Sequence, residues 1–475
     1  MKTIDVAVIG GGVVGALTAR ELRKYHIDVA VLEAADDVAA GASRANSGIV
    51  HAGFDAPVGS LKAKYNVLGN ALMAGVCAEL GVPFSRNGSL VVARGAEEEA
   101  QLQILLERGR QNGVPDLEII GRDRLLELEP HTADGVTAAL HAPTGGIVCP
   151  YGLTIAAMGN AMDNGARLFT GFEVASAQQT KDGWLLRSAK GQEVTARIVV
   201  NCAGAGAEYV ASLFGDTFFH IGLRRGEYML LDRAAGGFAS HTVFSVPTKA
   251  GKGVLVTPTV DGNLLIGPTS VEDEVYSTAV RRPAFGEIEE KASWMLRDIP
   301  FGQVITSFAG ERAYCDRHDF ILEWGKENVF HAAGIESPGL TSSPAIAREI
   351  AGQLAKRLGA AENKDFSPFR RSMHWLKDLS EAEKNAVIAR DFAYGRIVCR
   401  CEEVSLGEIR DAIRQNPPAR TLDGVKLRTR AGMGRCQSGF CQPNVFHELM
   451  KECGLRAEEV TKFGGKSFII TGGEL

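Results

Sequence analysis

The sequence predicts an α/β protein in three parts. These are a Rossmann-like nucleotide-binding domain, an antiparallel-sheet domain beside it, and a small α-rich domain at the C-terminus. Three observations predict this. A glycine fingerprint joins an apolar strand to a helix near the start. Alternating apolar residues flank an Asp261-Gly262 turn in the middle. Five of the nine cysteines crowd into the last fifth.

Residues 4–33 define the first part. Residues 4–9 are a short apolar run rich in β-branched side chains, as expected of a strand buried on both faces. Gly10, Gly12 and Gly15 follow in G-x-G-x-x-G order, with Gly11 inside the turn. Ala16, Leu17, Ala19 and Leu22 recur at helical spacing, and a second apolar strand over 29–32 ends in Glu33. Gly10 permits the tight turn, Gly12 leaves room for a pyrophosphate, and Gly15 lets helix pack close on strand. The helix N-terminus presents free N–H groups and partial positive charge to phosphates. Glu33 stands near the ~20-residue offset at which an acid meets a ribose diol. Together these elements read as a dinucleotide site.

Composition narrows the rest. A chain of 475 residues with 45% apolar content supports two or three domains with sizeable cores. A net charge of −5 and a pI near 6.1 imply no general nucleic-acid affinity. No run of 18 apolar residues occurs, and the chain opens directly into a strand. Neither a transmembrane helix nor a signal peptide is expected. The expected location is cytoplasmic, with peripheral attachment to the inner membrane through a partner left open.

After Glu33 comes a loop rich in small polar residues, including Gly41, Ser43, Asn46, Ser47 and Gly48, which suits a phosphate-lining turn. The motif GAS-x-x-NSG, followed by HAG, is similar to the D-amino-acid-oxidase-like flavoproteins. The branch it resembles holds FAD-dependent glycerol-3-phosphate dehydrogenases and L-2-hydroxyglutarate oxidases, and GSLKAKYN at 59–66 fits it too. Residues 89–93 read as a strand, 97–112 as a solvent-facing helix, and 153–165 as a helix with small packing residues. Residues 167–175, Val174 included, read as a strand bordering the nucleotide. IVVNCAGAGAEYV at 198–210 looks like the family's second cofactor strand, entering a turn at Ala203 and Gly204; Cys202 reads as a small core residue.

The middle resembles the glycerophosphate branch most closely, in RRGEYMLLD (224–232) and PTKAGKGVLVTPTVDGNLLIGPTS (247–270). Val254 and Val256, then Leu264 and Ile266, predict a hairpin in a separate substrate-binding layer. FAGERAYCDRHDFIL (308–322) and FHAAGIESPGLTSSPAIA (330–347) return to the cofactor fold. There a strand ends at Ala333, turns through Gly334 and Gly339, and opens a helix near Ser342. The resemblance implies noncovalently bound FAD, with this helix N-terminus, including Gly339 and Leu340, facing the flavin pyrimidine. A helix N-terminus stabilises the negative charge of reduced flavin.

The implied boundaries are an oxidoreductase domain over 1–370, a linker over 371–395 and a final domain over 396–475. Within the first, FAD-binding parts span about 1–80, 145–215 and 320–370, and substrate-binding parts about 81–144 and 216–319. The linker reading rests on the polar, Pro-interrupted stretch 364–378. Ser380 with Glu383, and Ser405 with Glu408, are capping boxes for two helices, the second ending before Pro417-Pro418.

In a cytosolic chain, clustered cysteines suggest metal rather than disulfides. The spacing is Cys399-x-Cys401, a long gap, then Cys436-x4-Cys441; the first pair is unusual for zinc. GRIVCRCEEVSLGEI and GRCQSGFCQP resemble the bacterioferritin-associated-ferredoxin-like [2Fe–2S] domain. That resemblance implies a [2Fe–2S] cluster on these four thiolates, with a structural zinc knot as the alternative. Arg400, Arg428, Arg430 and Arg435 would offset the anionic charge. Cys453 reads as a buried spectator.

Four side chains are candidates for the chemistry. His51 suits a general base, or else fills a polar gap. Lys249 and Arg312 fall where the resemblance places a phosphate, although Lys249 could be a solvated hairpin residue and Arg312 could pair with Glu311 or Asp316. Ser337 adds a hydrogen bond. The implied reaction is oxidation of sn-glycerol 3-phosphate, a small anionic substrate, to dihydroxyacetone phosphate. Electrons would then pass through the cluster to an accepting protein subunit. The alternatives are an anionic 2-hydroxy acid such as L-2-hydroxyglutarate, or an electron-transfer subunit that oxidises no small molecule.

Overall fold

The computed structural model describes residues 3–247, 253–370 and 376–470. Two large sheets organise the molecule. In the first, strands Arg167–Phe169, Val29–Leu32, Ile4–Ile9, Glu193–Asn201 and Val329–Ala333 lie parallel, side by side. Their Val, Ile, Leu and Ala side chains are buried on both faces, as a parallel sheet covered by helices requires. Helix Val13–Leu22 packs between helices Pro150–Asp163 and Gly339–Leu358 on one face, around Val6, Val8, Leu17 and Ile350. The strand Glu193–Asn201 does two jobs. Its first half pairs antiparallel with Gly183–Ser188, its second half parallel with Val329–Ala333.

The second sheet has nine strands, drawn from residues 89–142 and 221–315. Its spine is the antiparallel pair Ile221–Leu231 and Val304–Cys315, in register with Arg224 opposite Arg312. Leu255–Pro258 and Leu264–Gly267 form the expected hairpin around residues 261–262. A three-stranded patch, Ile49–Val50, Phe84–Ser85 and Gly146–Val148, lies apart from both sheets.

Some elements differ from expectation. The strand expected over 167–175 is two strands, Arg167–Phe169 and Val174–Thr180. Between them Gly171 takes a positive φ of 64°. Its N–H donates to the Ala35 carbonyl and that of Phe172 to the Glu33 carbonyl, while the Phe172 ring is buried. The break therefore ties this stretch to the loop after Glu33. The helix expected near Ser342 begins at Gly339, because the Ser342 N–H already closes a turn on the Pro338 carbonyl.

In the C-terminal part, a short hairpin of Ile397–Cys399 and Val404–Ser405 joins helices Leu406–Arg414, Leu422–Thr429 and Gln442–Cys453. They share a core of Ile409, Ile413, Val425 and Leu449. Both capping boxes form, on Ser380 with Glu383 and on Ser405 with Glu408. Of the residues expected as linker, 371–375 lie outside the described ones, and helix Glu381–Arg390 occupies part of the remainder. Residues just before it are fastened: Ser367 exchanges hydrogen bonds with Asn160 and Asn164, and the Arg370 N–H donates to the Glu79 carbonyl. Cys453 is half-buried rather than buried, with its sulfur 3.7 Å from the Arg420 guanidinium.

Arg430 anchors the C-terminal part to the second sheet. It is buried and bonds Glu402 at 2.8 Å, Asp261 at 2.7 Å and the Asn263 amide at 3.0 Å.

Candidate active site and cofactor cavity

A cavity of about 790 Å³ lies between the two sheets, lined by residues from both. That size is typical of a ligand site.

At one end sits the glycine turn. Gly10 has φ 105°, and a Cβ there would collide with the Cys202 carbonyl; a Cβ on Gly15 would collide with the Gly10 carbonyl. Gly12 faces the cavity, where a Cβ would come 3.3 Å from the Ser43 hydroxyl. Ser43 accepts the Val13 N–H at 2.9 Å, so it sits at the mouth of the first helix. That helix has no acidic residue in its first turn to compete with an anion. Glu33 lines the cavity while accepting N–H groups from Gly11 at 2.6 Å and Ala35 at 2.8 Å. Burial pushes its pKa up, and those N–H bonds oppose the rise. Asn46, Ser47, Val174, Ala203, Gly204, Gly339 and Leu340 also line the cavity. Gly11, Gly15 and Gly334 do not; they shape the turns behind its wall. The set fits a dinucleotide, since Gly12 leaves open space at a helix N-terminus with an acid placed for a ribose. The thiol of Cys202 is held inert, its pKa raised to about 12 by burial.

At the other end is His51, just past strand Ile49–Val50. Its carbonyl accepts from the Asn66 and Asn70 amides at 2.8 and 3.0 Å, and its N–H donates to Thr341 Oγ1 at 2.9 Å. Two helices thus fix its backbone. The ring lies 5.9 Å from that of Phe244, with Nε2 3.4 Å from the Ser337 hydroxyl.

The same end carries several cations. Lys62 and Arg224 are both neutralised by Glu336, at 2.9 and 3.5 Å. Arg312 differs. Its Nε donates to the Arg224 carbonyl at 3.3 Å and one terminal nitrogen to the Thr269 carbonyl at 3.1 Å. Among the described residues it has no carboxylate partner, so the ion pairs with Glu311 or Asp316 do not form. Burial raises the pKa of Tyr228 beside it, and the Arg312 charge works against that rise. Lys249 lies outside the described residues.

Sequence reading missed Lys62, Arg224, Tyr228, Thr269 and Glu336, all in the cavity wall. One signal was present. Arg224 and Tyr228 lie at even spacing on a strand and share a face. Their meeting with Arg312 depends on a cross-strand register that no local pattern reveals.

In the C-terminal part the cysteines meet as two pairs, Cys399 with Cys441 and Cys401 with Cys436, each thiol in hydrogen-bond contact with its partner. Among the described residues no three His, Cys, Asp or Glu side chains converge on one ion. Two thiol pairs side by side fit two irons bridged by sulfide better than one tetrahedral zinc.

No helix among the described residues is long and apolar enough to cross a membrane. Residues 5–353 match the family model FAD dependent oxidoreductase, and residues 397–452 match the BFD-like [2Fe-2S] binding domain. The chain is 44% identical to the glycerol 3-phosphate dehydrogenase of Caloramator mitchellensis over 475 residues, 98% of each chain. It is 30% identical to the mitochondrial L-2-hydroxyglutarate dehydrogenase of Pongo abelii over 382 residues, 75% of this chain and 88% of that one. The solved structure of dithionite-reduced L-alpha-glycerophosphate oxidase from Mycoplasma pneumoniae, with FAD bound, matches with a TM-score of 0.73 at 30% identity. That match covers 78% of this chain and 99% of the other.

Proposed function

Because the chain belongs to the FAD dependent oxidoreductase family, we propose that it oxidises sn-glycerol 3-phosphate to dihydroxyacetone phosphate. The observation that carries this is Arg312, a cavity-wall guanidinium with no carboxylate partner among the described residues. Holding it by two backbone carbonyls orients the guanidinium without neutralising it. A planar guanidinium with N–H groups to spare is suited to a phosphate. Lys249, expected in the same role, would add a second positive charge.

His51 takes the proton of the secondary hydroxyl as the carbon-bound hydrogen departs as hydride. Its backbone is clamped by Asn66, Asn70 and Thr341, so the ring is presented from a rigid base. Ser337, 3.4 Å from Nε2, orients the ring or the substrate hydroxyl. Bound FAD supplies the two-electron acceptor, held by the glycine turn, Glu33 and Ser43. Cys399, Cys401, Cys436 and Cys441 hold a [2Fe–2S] cluster, a one-electron carrier between the flavin and an electron-accepting protein.

The test is anaerobic stopped-flow reduction of the flavin by glycerol 3-phosphate, L-2-hydroxyglutarate and a set of amino acids. Fast bleaching by glycerol 3-phosphate alone is the expected result. Fast bleaching by L-2-hydroxyglutarate instead would keep His51 as base and move a carboxylate to Arg312. Bleaching by an amino acid alone would remove both roles.

A further inference from the structure

Residues 34–47 line the nucleotide half of the cavity through Ala34, Ala35, Ala40, Gly41, Ala42 and Ser43. Three charged residues of the same loop bond away from it, onto the C-terminal domain. Asp37 receives both terminal nitrogens of Arg428, at 2.7 and 2.8 Å, a bidentate pair on an arginine only 4% exposed. Asp36 accepts the Gly465 N–H at 2.5 Å. Arg44 bonds Asp423 at 2.5 Å, and Lys462 holds the other Asp423 oxygen at 2.7 Å. Backbone comes close as well: a Cβ on Gly464 would collide with the Asp36 carboxylate, and one on Gly424 would lie 3.1 Å from that of Asp37. On its inner side the loop touches the glycine turn, through the Ala39 N–H to the Gly11 carbonyl at 3.0 Å and the Ser43 hydroxyl at the Val13 N–H.

We infer that the C-terminal domain is also part of the FAD site: through Asp37–Arg428 and Arg44–Asp423 it fixes the loop that covers the nucleotide. Asp37 and Arg44 are positioning residues. They touch no ligand themselves, and they set where Ser43 and its neighbours stand. Partly buried bidentate and charge-assisted bonds are strong enough for this, and each fixes direction as well as distance. The inference rests on FAD occupying the cavity.

The test uses the full holoprotein and three single variants, Asp37→Asn, Arg44→Gln and Asp261→Asn. The last cuts an ion pair of the same domain interface, Asp261 with Arg430, that lands on the second sheet and lies outside the cavity wall. FAD release after dilution is followed by the rise in free-flavin fluorescence, FAD affinity by reconstitution, and unfolding of the apoprotein by its thermal midpoint. Asp37→Asn and Arg44→Gln should each release FAD about tenfold faster, the low end of what a lost charge-assisted bond transmits to affinity. Asp261→Asn should release it at close to the wild-type rate while lowering the apoprotein midpoint as much as the other two. Equal FAD retention in all three variants would overturn the inference, as would equal loss in all three. A wild-type protein that carries no FAD would instead overturn the assignment of the cavity.

Discussion

Arg312 reaches the cavity from a strand whose neighbours are already spoken for electrically. Lys62 and Arg224 share Glu336, while Arg312 keeps its charge for whatever enters. Arg312→Ala should therefore raise the KM for glycerol 3-phosphate about ten- to a hundredfold, the loss expected for one charge-assisted contact of roughly 1.5–3 kcal/mol. Arg312→Lys should recover only part of this, since a point charge cannot grip two oxygens in one plane. His51→Ala should behave differently. It should lower kcat by roughly a hundredfold or more with little change in KM, because a base acts mainly in the transition state. Steady-state kinetics and single-turnover flavin reduction on the same variants separate the two effects. These side chains were legible from sequence for a chemical reason: His51 stands in a motif, HAG after NSG, and Arg312 in the stretch GERAYCDRHDF. Glu336 and Lys62 were not, since their role is to balance each other across 274 residues.

At the scale of elements, the site depends on how closely two helices approach. Helices Leu61–Leu80 and Gly339–Leu358 meet at Gly69, where a Cβ would collide with the Thr341 carbonyl. The same pair grips the His51 backbone from both sides. Gly69→Ala should push the helices apart, lower stability by about 1–3 kcal/mol as overpacking does, and reduce kcat with it. Gly75, one and a half turns further along, is exposed and faces open space. Gly75→Ala should raise stability by about 0.5–1 kcal/mol, the helix-propensity gain alone. Urea unfolding of both variants checks the pair. Helix caps and the hairpin turn were readable because local bonds form them, as in Ser380 with Glu383 and Ser405 with Glu408. The break at Gly171 was not, because the bonds that end the strand come from the loop after Glu33.

At the scale of the molecule, the flavin cavity and the cysteine pairs sit in different parts of one chain. Cys436→Ser, made and purified anaerobically, should lose its iron and the visible bands of a cluster, while substrate still reduces the flavin at close to the wild-type rate. Transfer to an external one-electron acceptor should fall. Iron and zinc analysis with stopped-flow spectra decides this, and stoichiometric zinc in the wild-type protein would remove the cluster reading. The division into two sheets was legible, since strand periodicity changes from continuous apolar runs to alternation. The contact between the parts was not. Arg428 and Arg430 look alike in sequence, and only the fold sends one to Asp37 and the other to Asp261.

The Asp37–Arg428 bond closes a span of 391 residues. On the ribosome the loop that carries Asp37 is among the first segments to emerge and Arg428 among the last. At roughly 5–20 residues per second, the loop waits about 20–80 seconds for its partner. During that interval the parallel strands can pair and the glycine turn can form, but the outer fastening of the loop cannot. A nascent chain halted before residue 423 should therefore hold flavin weakly, and firm loading should belong to the released protein rather than to the growing one.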